Sequence, residues 1–190
     1  MLKIVHNKKW DWLVREKALV AISEHGPADQ AGPVLRKALT GPNDAMLRMA
    51  ATWGVVRHRL IDMLPELERI TRTENEEDFL VGAALRAFVA LADQRDTERL
   101  LLQLLNPKEN RILRCIAADA AGSAGYRSAV PLLLPMLDEP APVIARYDPR
   151  ITADHALRIL AKLPNGVGYE PARRNSDTWR TWWAKNAKSS

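Results

Sequence analysis

One cysteine, Cys115, serves the whole 190-residue chain. No intramolecular disulfide can form, so a reducing compartment is expected. Long apolar runs are also missing: none approaches the roughly 18 to 20 residues that a membrane-crossing helix needs. The stretch MLKIVHNKKWDW lacks the apolar core and small-residue cleavage site of a signal peptide. Together these absences predict a cytoplasmic protein that does not engage the membrane.

Motifs for chemistry are equally scarce. The four histidines, His6, His25, His58 and His155, form no HExxH and no His/Cys cluster, and a single cysteine rules out CxxC. His25 and His58 share a repeat column at helix C-termini, where cations are favoured, but Leu91 and Ala124 follow in that column and add no metal ligand. There is no G-x-S-x-G, and no glycine-rich phosphate loop opens a helix. Asp154 and His155 are adjacent on a helix and point about 100° apart, so neither can orient the other. No catalytic residue, metal or cofactor is predicted, and the chain reads as a non-enzyme.

What the sequence does have is ordinary core-forming material, with 47% apolar and 27% charged residues. The net charge of +5 is unevenly placed. Residues 1–139 hold 19 Lys/Arg and 19 Asp/Glu, whereas 140–190 hold 9 and 4. A uniformly basic groove able to track a phosphate backbone is therefore not expected, and the C-terminal quarter reads as a solvated, slightly basic tail.

The strongest signal is a period of 33 residues. VREKALVAI from Val14, LRMAATWGV from Leu47, LVGAALRAF from Leu80 and LRCIAADAA from Leu113 align in register. Four residues after these starts stand Ala18, Ala51, Ala84 and Ala117, followed by Ala21, Gly54, Ala87 and Ala120, then Ile22, Val55, Phe88 and Ala121. Apolar positions at i, i+4, i+7 and i+8 make the buried stripe of a helix. Small residues within it suit helices stacked about 8–10 Å apart. Arg15, Arg48 and Arg114 recur one place after the large aliphatic, with Val81 as the exception.

Each segment leads through a turn into a second amphipathic stretch, with Asp62, Asp96 and Ser128 placed as N-cap or first-turn residues. One such pair cannot bury its apolar face alone, so the pairs are expected to stack. A fifth unit starts near Arg150, after DEPAPVIARYDPR, whose Pro140, Pro142 and Pro149 favour an extended loop. Trp179, Trp182 and Trp183 recur at helical spacing behind Ser176 and Asp177, which are expected to cap a closing helix. These tryptophans are expected to lid the open end of the core, and Trp10 and Trp12 to do the same at the other end. The resulting division is an N-terminal segment (1–12), four repeats (13–138), a Pro-rich loop (139–149), and a fifth repeat with its Trp-rich cap (150–190).

With these columns in place, the Arg-x-x-Ala-Leu of Arg15, Ala18 and Leu19 and the Arg-x-x-Ala of Arg48 and Ala51 resemble HEAT repeats. The short unit and the Ala-rich first helices are most similar to the bacterial PBS-lyase HEAT-like repeat proteins. Gly168-Tyr169-Glu170-Pro171 followed by Trp179-x-x-Trp182 is similar to the ending of many such proteins. The resemblance implies an all-α, right-handed α-α superhelix of about five helical hairpins. It further implies a protein-binding scaffold or adaptor that grips a protein or peptide along the concave face lined by second helices. Arg36, Arg69, Arg99 and Gln103 are the contact residues expected there, and Leu132 on the polar-poor fourth second helix offers an apolar spot. The same resemblance keeps two alternatives open: a phycobilin-lyase-like enzyme, and a DNA-binding or alkylbase-excising protein. The DNA reading would turn on Trp53, in the column of Val20, Arg86 and Asp119, which is expected to be shielded by the N-terminal segment.

Overall fold

The computed structural model describes residues 2–187 apart from 43, 74, 142–146, 172 and 174. Pro142, which figures in the loop expectation, lies outside the described residues. Among the described residues the chain is all-helical, with short 3-10 turns and no strand. The helices that carry the aligned segments are α2 (Trp12–His25), α4 (Ala45–Arg57), α6 (Asp78–Leu91) and α8 (Arg111–Ala124), whose starts fall 33 residues apart. Helix α10 (Pro149–Ala161) carries the fifth. The second stretches are α3 (Ala28–Thr40), α5 (Leu64–Arg72), α7 (Gln94–Leu104) and α9 (Val130–Met136), with α1 (Leu2–Val5) and α11 (Asp177–Asn186) near the ends.

Contacts divide the chain into two compact units, residues 1–93 and 94–190. In the first, α4 packs between α2 and α6, α3 lies on α4, and α5 on α6. The repeat columns supply this core: Ala18, Ala51 and Ala84, then Ile22, Val55 and Phe88, are all buried. In the second unit α8 packs on α10, α9 also touches α10, and α11 touches α9. Ala117, Ala120 and Ala121 on α8 and Ala153, Ala156 and Leu157 on α10 are buried there. The small residues have steric reasons. A Cβ on Gly54 would collide with the Leu35 side chain. One on Gly122 would sit 2.8 Å from the Cα of Ala156, a backbone atom that cannot swing aside.

The residues expected as N-caps or in first turns take first-turn places. Asp62 and Ser128 lie inside the 3-10 turns that precede α5 and α9, and Asp96 lies within the first turn of α7. The N-cap side chains that do accept backbone N–H bonds precede the first helices: Asp11, Asp44, Asn110 and Asp148. Their acceptor oxygens lie 2.8 to 2.9 Å from the nitrogens of Leu13, Leu47, Ile112 and Arg150. Pro149 is not part of an extended loop: it opens α10, where its missing N–H costs nothing. Ser176 stands at the N-cap of α11 without a side-chain bond.

The recurring arginines cross from one repeat to the next. Arg15 donates from Nε to the Val5 carbonyl at 2.9 Å and pairs with Asp44 at 3.4 Å. Arg48 donates to the Leu39 carbonyl at 3.2 Å and pairs with Glu76 at 2.6 Å. Arg114 grips Glu139 through both terminal nitrogens, Nη2 at 2.7 Å from Oε2. Each carboxylate lies in the loop before the next first helix, so the arginine ties that loop to the preceding first helix. Arg150 pairs instead with Asp148, only two residues earlier, at 2.6 Å. Val81 in the third segment is buried and makes no such tie.

The C-terminal residues close over the second unit. Tyr169 is buried and donates its hydroxyl to the Leu137 carbonyl at 2.8 Å. Trp179 is fully buried, and its indole N–H donates to Asp154 at 2.7 Å. Asp154 also pairs with Arg158 at 2.7 Å. Trp182 meets the edge of Trp179 at 5.5 Å between ring centroids, and the Arg127 guanidinium lies 5.9 Å from the centroids of both Trp182 and Trp183. The expectation for Trp10 and Trp12 fails at the other end of the chain, where they remain 49% and 45% exposed.

Candidate functional site

The second helices carry the four residues expected to make contacts. In the first unit, Arg36 projects from α3 and Arg69 from α5, both on exposed faces. The amphipathic pattern explains why. Leu35, Ala38 and Leu39 on α3 and Leu67 and Ile70 on α5 point into the core, leaving the intervening positions to solvent. Arg36 reaches across to α5's lead-in turn, where it pairs with Asp62 and places Nη1 3.2 Å from the Met63 sulfur. Its guanidinium, hydrogen-bonding Asp62, holds that carboxyl below the usual carboxylate range. Ile61, adjacent to Asp62, is 54% exposed. One turn further along α5, Arg69 forms a two-pronged contact with Glu66 at 2.8 and 2.7 Å, which pushes the Arg69 pKa up. Arg72 holds Glu68 in the same way at 3.0 Å.

In the second unit, Arg99 and Gln103 lie on the exposed side of α7, one turn apart. Arg99 is 3.5 Å from Asp96. The 3-10 turn before α9 packs against α7. On α9 Pro131 and Pro135 are exposed and Leu132 is half-buried, so the apolar spot expected at Leu132 is shared with its prolines. The structure thus places Arg36 and Arg69 in one unit and Arg99 and Gln103 in the other. What the sequence did not reveal is the charge neutralisation. Arg36, Arg69 and Arg99 each hold a carboxylate of this same chain, and the i, i+3 spacing of Glu66–Arg69 and Asp96–Arg99 was the signal that would have shown two of the three.

Other expected features fall outside any site. His58 is the C-cap of α4, with its Nε2 3.0 Å from the Ser23 carbonyl, and His25 is exposed beside Glu24 at 3.6 Å. Among the described residues no group of His, Cys, Asp or Glu could hold a metal ion. Cys115 is buried, and burial pushes its thiol pKa up, away from the thiolate form. His155, Arg158, Ile159, Lys162 and Pro164 line an open depression of about 420 Å³ at the C-terminal end of α10. Its central cation, Arg158, is already committed to Asp154.

Trp53 is the residue whose environment the sequence misjudged. No part of the N-terminal segment shields it, and 73% of it is exposed. On α4 the neighbours Ala50, Thr52, Gly54 and Val55 fill the core-facing side, which leaves position 53 pointing outward. No family model matches this chain, and no curated protein matches it either.

Proposed function

We propose that the chain is a non-enzymatic binding scaffold, a short HEAT-like solenoid that holds a protein or peptide partner along its second helices. The observation that carries this reading is the surface of α3 and α5. There the Arg36–Asp62 and Arg69–Glu66 pairs share a surface with Ile61, which is exposed beside Asp62. Charges already paired within the chain present donors and acceptors together and no net field, which suits the mixed polarity of a protein surface. An exposed aliphatic side chain beside them supplies an apolar anchor. In the second unit, Arg99 and Gln103 are likewise exposed on α7, and Pro131 and Pro135 on α9. The 33-residue spacing of the first helices, with their small-residue columns buried, supports the solenoid part of the reading.

The test is capture of partners from lysate by the tagged chain, with and without nuclease, comparing wild type with an Arg69→Glu/Arg99→Glu variant. A discrete protein that survives nuclease and is lost with the variant supports the reading. Equal capture by both proteins refutes the second-helix assignment, and recovery that depends on nucleic acid refutes the scaffold.

A further inference from the structure

Trp53 belongs to a second surface, on the exposed side of α4 away from its buried residues. The 33-residue register puts Val20 on α2, Trp53 on α4 and Arg86 on α6 at equivalent positions of three helices that pack side by side. One turn toward the helix N-termini the row reads Glu16, Met49 and Gly82, and one turn toward the C-termini it reads Glu24, Arg57 and Ala90. Val20 and Met49 are half-buried and form an apolar margin beside the indole. Gly82 has a role here. Without a side chain it lets the Arg86 guanidinium lie back along α6, with Nη1 3.4 Å from where a Cβ would be. Arg57, four residues after Trp53, leans toward α2 and donates to the Glu24 carbonyl at 3.1 Å.

The charges of this surface differ from those of the second helices. Neither Arg57 nor Arg86 has a carboxylate partner among the described residues. Of the acidic neighbours, Glu16 pairs with Lys17 at 3.4 Å, and Glu24 has His25 at 3.6 Å. A large exposed indole thus stands with two guanidiniums that no carboxylate of the described residues compensates, an apolar anchor together with forked donors.

We propose that this face docks an acidic peptide segment carrying an aromatic or large aliphatic side chain. The apolar side chain packs on Trp53, Val20 and Met49, while Arg57 and Arg86 take flanking carboxylates. Exposed tryptophans and arginines are the residue types that dominate binding energy at such contacts, and guanidinium matches carboxylate in two-pronged geometry. A nucleic acid fits less well. Residues 1–93 hold 13 Lys/Arg and 13 Asp/Glu, so no extended basic stripe follows a phosphate backbone, whereas two local guanidiniums suffice for the carboxylates flanking one apolar side chain. Two-fold pairing with a second copy would set the same two arginines against each other.

Fluorescence anisotropy with labelled synthetic peptides tests the proposal. One peptide alternates Glu with Phe; in a second Ser replaces Phe; in a third Lys replaces Glu; a single-stranded oligothymidylate is the fourth probe. The Glu/Phe peptide is expected to bind best, and Trp53→Ala to weaken it by about thirtyfold. Thermal melting of that variant should match wild type, because the side chain contributes little to the core. Arg57→Glu/Arg86→Glu is expected to reverse the preference toward the Lys peptide, whereas Lys108→Glu, an exposed position in the second unit, should change nothing. Equal binding of the Ser or Lys peptide, tighter binding of the oligonucleotide, no binding of the Glu/Phe peptide, or an unaltered Trp53→Ala affinity would each overturn the proposal. The second-helix site is probed separately, by Arg69→Glu in the capture experiment.

Discussion

Five of the six tryptophans lie near the two ends of the chain, and the two ends use them differently. Near the C-terminus, Trp179 is fully enclosed and its N–H is bonded to Asp154, itself buried and held by Arg158. Near the N-terminus, Trp10 and Trp12 stand half in water beside exposed Leu13 and Val14. Composition alone does not separate these cases. What separates them is the neighbourhood: the Tyr169 turn, α9 and α10 surround Trp179 and provide an acceptor, whereas α1 is a single turn that covers part of α2. A buried indole needs both enclosure and a partner for its N–H.

That contrast can be broken by substitution. Trp179→Ala removes the largest fully buried side chain and leaves Asp154 without its indole donor, so a loss of about 3–5 kcal/mol is expected in chemical denaturation. Tyr169→Phe should cost about 1 kcal/mol, the value of one buried hydrogen bond, and it sharpens the comparison through pH. Burial pushes the Tyr169 pKa from 10.0 up to about 12. Its neutral form is the one the fold favours, so this contribution is complete below pH 10.0 and is lost as pH rises toward about 12. Melting temperatures measured across that window should fall more steeply for wild type than for Tyr169→Phe. The smallest effect is expected at the other end, where Trp10→Ser and Trp12→Ser should each change stability by no more than about 0.5 kcal/mol. Should either cost as much as Trp179→Ala, the two ends are equivalent and the contrast fails.

Much of the helical organisation was legible in the residues because it rests on spacing. The alanine columns place the buried stripe directly, and the starts of α2, α4, α6 and α8 follow the 33-residue period. Signals that depend on geometry at a single residue were less readable. Asp62 and Ser128 look like caps in one dimension, but a 3-10 turn precedes each of their α-helices, and the capping bonds belong to Asp11, Asp44, Asn110 and Asp148. Trp53 was expected to be covered on the general ground that large aromatics avoid water, yet its angular position on α4 faces outward whatever its size. For the contact residues, the sequence placed Arg36, Arg69 and Arg99 on exposed faces but concealed the Arg36–Asp62 pair, whose members are 26 positions apart on different elements.

The arginine ties bear on how many repeats such a chain can contain. Arg15, Arg48 and Arg114 each reach forward to a carboxylate in the loop that opens the following repeat. A length of chain that carries such an arginine and its own loop carboxylate therefore holds one outgoing cation and one incoming anion, which the third segment, with Val81 in the arginine's place, does not. A repeat holding both can be gained or lost in register without stranding a charge. Arg150 is answered instead by Asp148, from its own helix cap, so that tie stays within one helix start.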